Sequence, residues 1–316
     1  MKRFSVSKVL TGAFCLFLIA FFVLFPKEAA AASVDSCIKW ATKIFPSLFT
    51  FAITGGILSQ ICGTKNLPFL KSPLNALGIS SEGSGCYLMS FVCASPVSVK
   101  TVCEAYTEGV VSKDDAQILL VLCSTVSPLF LYSSLGVTFF GSKAIGASLA
   151  AINYISAFLS SALFKVFYPQ GNRRDLTRHE NKRDITLINI VCASVTKALG
   201  AGLNAGAFVV FFGILTEALF RFDILKKNNP VSAVVCMLVE LSCGAELGAK
   251  FSPKFNSVVL PALFGSVGLG GASFLMQNIS YITATDLSVK KFVEGKVINM
   301  FISAALGCAC YLLGLF

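Results

Sequence analysis

Charge is what this chain has least of: of its 316 residues only 13% are Asp, Glu, Lys or Arg, against roughly 25% in an ordinary soluble domain. A surface that short of ions cannot face water over a whole fold. Histidine is scarcer still, with His179 the only one, which leaves little room for imidazole acid–base chemistry or histidine-rich metal sites. That residue stands in a basic stretch with no cysteine beside it and reads as a solvated loop side chain. No Gly-x-Ser-x-Gly elbow, phosphate loop, dinucleotide fingerprint or zinc-protease helix occurs, so neither enzymatic activity nor a cofactor or metal is expected. Cys-x-x-Cys spacing is missing too. The twelve cysteines are scattered, mostly within apolar runs, where a free thiol behaves as a small hydrophobe. Cys308 and Cys310 stand two apart and point to different faces of a helix, which argues against a shared metal.

Apolar length, by contrast, is abundant. Hydrophobic residues make up 55% of the chain, 29 of them Phe, and the mean hydropathy is +0.77. A bilayer is the solvent that suits this surface. Spanning it takes about 20 mostly apolar residues per helix, and roughly nine or ten segments of that kind can be drawn. They lie near 9–25, 44–62, 85–103, 116–140, 144–167, 185–200, 204–220, 231–249, 257–282 and 297–315, with 85–103 and 231–249 read as either spanning or re-entrant. The expected fold is all-α, a polytopic transmembrane helical bundle.

The net charge of +10 belongs to the membrane reading. Lys2, Arg3 and Lys8 precede the first segment, and Lys165, Arg173, Arg174, Arg178, Lys182 and Arg183 crowd the longest polar loop. Short Lys- and Arg-rich loops stay on the cytoplasmic side, so the N-terminus and the 168–184 loop are both expected there. Anionic headgroups account for the charge; nucleic acid is not an expected partner, because no aromatics are interleaved and no binding motif is present. The start of the chain resembles a signal peptide, with Ala29 to Ala32 as a small-residue site after an apolar run. That run is long for a signal core and Pro26-Lys27-Glu28 follows it, so a retained first helix is favoured.

Two apolar runs are interrupted at corresponding places in the two halves. Ser127-Pro128 splits 116–140, and Gly268-Leu269-Gly270-Gly271 splits 258–282. An unsatisfied backbone group in lipid costs several kcal/mol, so an unwound helix survives only where protein or a watery cavity surrounds it. Paired interruptions point to a solute site at the midplane between two repeats. Weak internal likeness agrees: Gly56 to Gln60 can be set against Gly213 to Glu217, and Cys93 to Lys100 against Cys243 to Lys250. The chain divides into an N-terminal signal-anchor-like segment (1–37), a first repeat (38–167), the basic cytoplasmic loop (168–184) and a second repeat (185–316). The expected solute-binding residues are Ser124, Thr125, Ser127 and Pro128 at the first break and Gly270, Gly271 and Gln277 at the second. Lys100 and Lys250 end small-residue stretches, where they either meet the carboxylates of an anionic solute or snorkel to the interface. Glu104, Glu240 and Glu246 are candidates for coupling a proton or sodium; Glu240 or Glu246 could instead pair with Lys250. A small anionic solute and the lipid bilayer are the expected partners, and self-association into a homo-oligomer stays open.

Several stretches carry a family likeness. Ile44-Phe45-Pro46-Ser47-Leu48-Phe49 resembles the opening of the nucleoside-recognition or Gate domain, in the form carried by YlbJ-type sporulation integral membrane proteins. Ala94-Ser95-Pro96-Val97-Ser98-Val99-Lys100 stands where that family has Gly-Tyr-Pro-x-Gly-Ala-Lys, followed by Glu104, Gly109 and Ser112 to Ala116. Ser124 to Phe130 stands where it has Asn-Thr-Ser-Gly-Pro-Leu-Phe, and Pro128, Leu129 and Phe130 are kept. In the second half Glu240 and Gly244 fall near a Glu-x-Thr-Asn-Gly stretch, and Gly270-Gly271 with Gln277 resemble a Gly-Gly…Gln signature. The likeness runs from about Ile38 to the C-terminus; Ala94, Ser98 and Thr125 replace the strictest glycines and the asparagine, which bears on substrate more than fold. It implies a multi-pass carrier acting in sporulation, passing dipicolinate across the outer forespore membrane of a spore-forming bacterium. The alternatives are a nucleoside-type carrier or a non-transporting scaffold for spore-envelope maturation.

Overall fold

The computed structural model describes residues 6–62, 74–93, 95–168, 186–252 and 254–316. Among them every regular element is helical. The basic loop, apart from Tyr168, lies outside the described residues, as do His179 and its neighbours.

The framework is a pair of long antiparallel helical runs. One comprises α2 (Pro26–Lys39), a π-wound turn (Trp40–Ile44) and α3 (Phe45–Cys62); the other is the single helix α9 (Leu187–Arg221). At about 1.5 Å per residue α9 is roughly 52 Å long, well beyond the ~30 Å hydrocarbon layer, so it tilts or projects from it. Small residues set how closely the runs approach. A Cβ on Gly202 would fall 2.6 Å from the Phe45 ring, and one on Gly206 2.5 Å from the Trp40 ring; the Trp40 indole N–H donates to the Gly202 carbonyl at 3.1 Å. Farther out along the pair, Gly56 rests on Ser194 and Gly213 on Ser36. Those two contacts exchange the runs with each other, as a two-fold axis near Phe45 and Gly202 would. Ahead of this pair α1 (Val6–Leu24) bends away by 106° and sets Phe17, Phe21 and Phe25 around Phe222.

Each half then continues in the same order. The first half has two short helices, α4 (Ser84–Val92) and α5 (Val97–Thr107); a broken run of α6 (Lys113–Cys123) and α7 (Phe130–Phe139, wound with π pitch); and the continuous α8 (Lys143–Phe167). The second half has α10 (Pro230–Val239) and α11 (Leu241–Ala249), a broken run of α12 (Asn256–Leu269) and α13 (Gly271–Ile282), and the continuous α14 (Val289–Leu312). Arms of nine to eleven residues reach only about half the hydrocarbon thickness. The 85–103 and 231–249 segments are thus re-entrant in length, each folded back at its middle. In the second pair the fold is tight: a Cβ on Gly244 would lie 2.0 Å from the Met237 nitrogen.

Several expected spans are corrected. The 185–200 and 204–220 segments are one helix, because Gly202 and its neighbours serve close packing and not a turn. Instead of nine or ten spans, four helices among the described residues are long and apolar enough to cross a membrane, or five if bent α1–α2 counts as one. One of the four is the α12–α13 run taken through its break, and much of the remaining apolar sequence lies in shorter helices.

Candidate functional site

At the first break four successive carbonyls find donors outside their own helix. Residues 124–127 are non-helical, which frees the last carbonyls of α6. The Ser98 hydroxyl donates to the Cys123 carbonyl at 2.6 Å, and the Lys296 ammonium to the Ser124 carbonyl at 2.9 Å. The Ser95 amide serves the Thr125 carbonyl at 2.9 Å. Asn153 holds Val126 at both ends: its amide nitrogen donates to the Val126 carbonyl at 3.0 Å, and its oxygen accepts from the Val126 N–H at 3.4 Å. Buried backbone groups require such partners, so these four donors are what let the helix unwind inside an apolar bundle.

The second break is shorter and lies at a pair of glycines. Gly270 (φ 92°) and Gly271 (φ 69°) are both left-handed, a region open to glycine at little cost. The Asn299 amide donates to the Gly268 carbonyl at 3.0 Å. Asn153 and Asn299 are each the eleventh residue of the helix that follows their own break, α8 and α14.

Both breaks and both hairpin tips face one cavity of about 80 Å³. A water needs roughly 10–15 Å³ on this measure, so several fit. Cys93 and Ser95 come from the first tip, Glu240, Leu241 and Ser242 from the second. The breaks add Val126 and Ser127 on one side and Gly270, Ser273 and Gln277 on the other, and Phe51, Phe130 and Phe274 supply aromatic surface. Glu240 is 3% exposed and is the one charged residue in this lining. Its extended backbone separates α10 from α11, and its carboxylate accepts the Cys243 N–H at 2.7 Å, capping α11.

A second cavity, of about 270 Å³, begins where the first ends. Along α9 the lining passes from Val209 to Gly213, and along α11 from Ser242 to Cys243. It is ionic, with Asp35, Lys39, Glu217, Lys227, Glu246 and Lys250 around it, and Lys39 pairs with Glu246 at 3.0 Å.

Of the residues singled out from sequence, Ser127, Gly270, Gln277 and Glu240 border the inner cavity. Ser124 and Thr125 are buried beside it, Pro128 opens the next helical segment, and Gly271 packs against the α10–α11 backbone. The lysines are placed otherwise. Lys100 sits over the Tyr281 ring, 5.8 Å from its centroid, and Lys250 is exposed in the outer, ionic cavity. Matching the starts of α5 and α11 explains this: Lys100 corresponds to Gly244, not to Lys250, so the two were never equivalent. Glu246 pairs with Lys39 and not with Lys250, and Glu104 pairs with Lys197 at 3.0 Å, both away from the inner lining. Sequence reasoning missed Asn153, Asn278 and Lys296, all buried at 1% exposure or less. The signal was present as single polar residues inside or at the edge of apolar runs.

At one end of the bundle Asp286 accepts from Lys113 at 2.6 Å and from the Tyr106 hydroxyl at 2.6 Å. That pairing, Lys113 first, holds its carboxyl below the usual carboxylate range and ties the α13–α14 connection to α5 and α6. Comparison with family models, with curated proteins and with solved structures finds no match. The fold defines the class, a helical membrane-embedded protein, and no particular family follows from the comparisons.

Proposed function

We propose that this chain is a membrane carrier or facilitator for a small polar solute and carries out no chemistry of its own. One observation carries the reading: two helix breaks and two re-entrant tips, one of each from either half, meet around one cavity. Re-entrant tips and unwound helices at membrane depth occur where protein or a water-filled cavity surrounds them, and paired ones mark solute sites in carriers. The exchange of Gly56–Ser194 for Ser36–Gly213 across antiparallel runs supports inverted repeats about an axis in the membrane plane. The ionic outer cavity is then the approach from one side.

The family resemblance makes dipicolinate, passed across the outer forespore membrane, the first solute to test. A specific observation favours a second. The lining has a carboxylate, an amide and several hydroxyls among aromatic rings, with no cation, which suits an uncharged polar ring such as a nucleoside better than a dianion. Uptake of labelled dipicolinate, nucleosides and amino acids into proteoliposomes holding the purified protein separates the two. Accumulation of one solute above empty vesicles is expected, and dipicolinate uptake alone would reject the nucleoside reading. No uptake of any by folded protein would leave the scaffold as the better account.

A further inference from the structure

The two breaks share one kind of partner, and among the further donors at the first break one is a lysine. Each break has its own asparagine, the eleventh residue of the following helix. The first break also draws on Ser95, Ser98 and Lys296. Lys296, the eighth residue of α14, crosses from the other half to the Ser124 carbonyl at 2.9 Å, whereas the eighth residue of α8 is Ala150. Its side chain is 1% exposed, and among the described residues it forms no ion pair.

A neutral donor would satisfy a carbonyl more cheaply, as Asn299 does one turn further along the same face of α14. Taking an ammonium out of water without a carboxylate is strongly unfavourable unless something else compensates it. Here the compensation comes from the carbonyl end of α6, where the aligned peptide dipoles leave partial negative charge and favour a cation. In broken-helix carriers that position is where unwound carbonyls coordinate a free monovalent cation. We infer that Lys296 is a built-in cation at the first break: its tethered ammonium occupies a carbonyl site that would otherwise call for a bound monovalent cation, so the break needs the charge and not merely a hydrogen-bond donor. The inference rests on the carrier reading only for the meaning of the break; the site itself is tested without any solute.

Lys296→Ala removes what n-propylammonium would replace. In the purified full-length protein the thermal-unfolding midpoint of Lys296→Ala should fall by several degrees. Millimolar propylammonium chloride should restore at least half of that loss, with no comparable shift in the wild type. 1-Propanol, a neutral donor of the same size, and tetramethylammonium chloride, a cation without a donor, should not. Equal recovery by propanol would show that a donor suffices, and equal recovery by tetramethylammonium would reduce the effect to ionic strength; either result, or no recovery by propylammonium, overturns the inference. Should Lys296→Ala not fold, Lys296→Gln keeps a donor and discards the charge. A Gln midpoint below those of both the wild type and Lys296→Arg is expected, and a wild-type midpoint for Gln overturns the inference. Because these measurements need no transport, a failed uptake assay and a failed cation site remain distinguishable.

Discussion

Asn153 shows how much of this fold rests on single polar side chains. It satisfies both polar groups of Val126 in a segment without helical hydrogen bonds, and leaving a buried group unsatisfied costs about 1–3 kcal/mol. Asn153→Ala is therefore expected to lower the thermal-unfolding midpoint of the purified protein clearly, while Ala substitution at exposed Ser133, which donates only within its own helix, should barely move it. The charged residues yield a second expectation. Since Lys100 lies on Tyr281 and Lys250 opens on the outer cavity, replacing either with Gln should leave proteoliposome uptake within about twofold of wild type, a change worth less than 0.5 kcal/mol. Glu240→Gln should lower uptake at least tenfold; if the lysine variants do so instead, the solute binds elsewhere. The interruptions legible in sequence were those at Ser127 and Gly270, because helix interruption is a local property. Which face a lysine takes is not local, and sequence left Lys100 and Lys250 open between a solute and the interface for that reason. Lys296 fell one residue outside an expected span, and nothing nearby in sequence marks its partner 172 positions away.

At the level of elements, helix propensity and apolar length were read correctly, and continuity was not. Gly200 to Leu203 looks like a linker between two spans, yet it lies inside α9 because the glycines admit the Phe45 and Trp40 rings. The 231–249 segment, read as either spanning or re-entrant, folds back at Glu240, whose side chain supplies the cap that starts α11. The breaks themselves invite a test. Straightening the first with Ser127→Ala and Pro128→Ala together should abolish uptake while leaving the protein in the membrane at normal abundance, since it removes the helix-interrupting residues without adding bulk. Leucine at Gly270 or Gly271 is a poorer probe, because both have positive φ and a Cβ at Gly270 would lie 2.4 Å from the Phe274 ring. Unchanged uptake by the Ala pair would mean that the unwound segment is only a packing feature.

For the whole molecule, the inverted arrangement makes a topological claim that neither half makes alone. The end of α8 meets the start of α14, where Lys291 lies 4.8 Å from the Tyr168 ring, so the two helices run in opposite directions and begin at opposite faces. Cysteines placed at exposed Lys143 and Lys290, in a protein cleared of native cysteines, should react with an impermeant reagent from opposite sides of sealed vesicles. Labelling of both from one side would exclude inversion. The paired breaks were readable in sequence, whereas the inverted reading rests on the antiparallel contacts of α3 and α9. The central claim is that the inner cavity is where solute binds, and one comparison tests it most directly: uptake of the transported solute into proteoliposomes by the wild type and by Ser242→Phe, which projects a ring from the second tip into the cavity. The account predicts that Ser242→Phe folds, inserts and transports nothing above empty vesicles; transport at the wild-type rate with the cavity filled would contradict it.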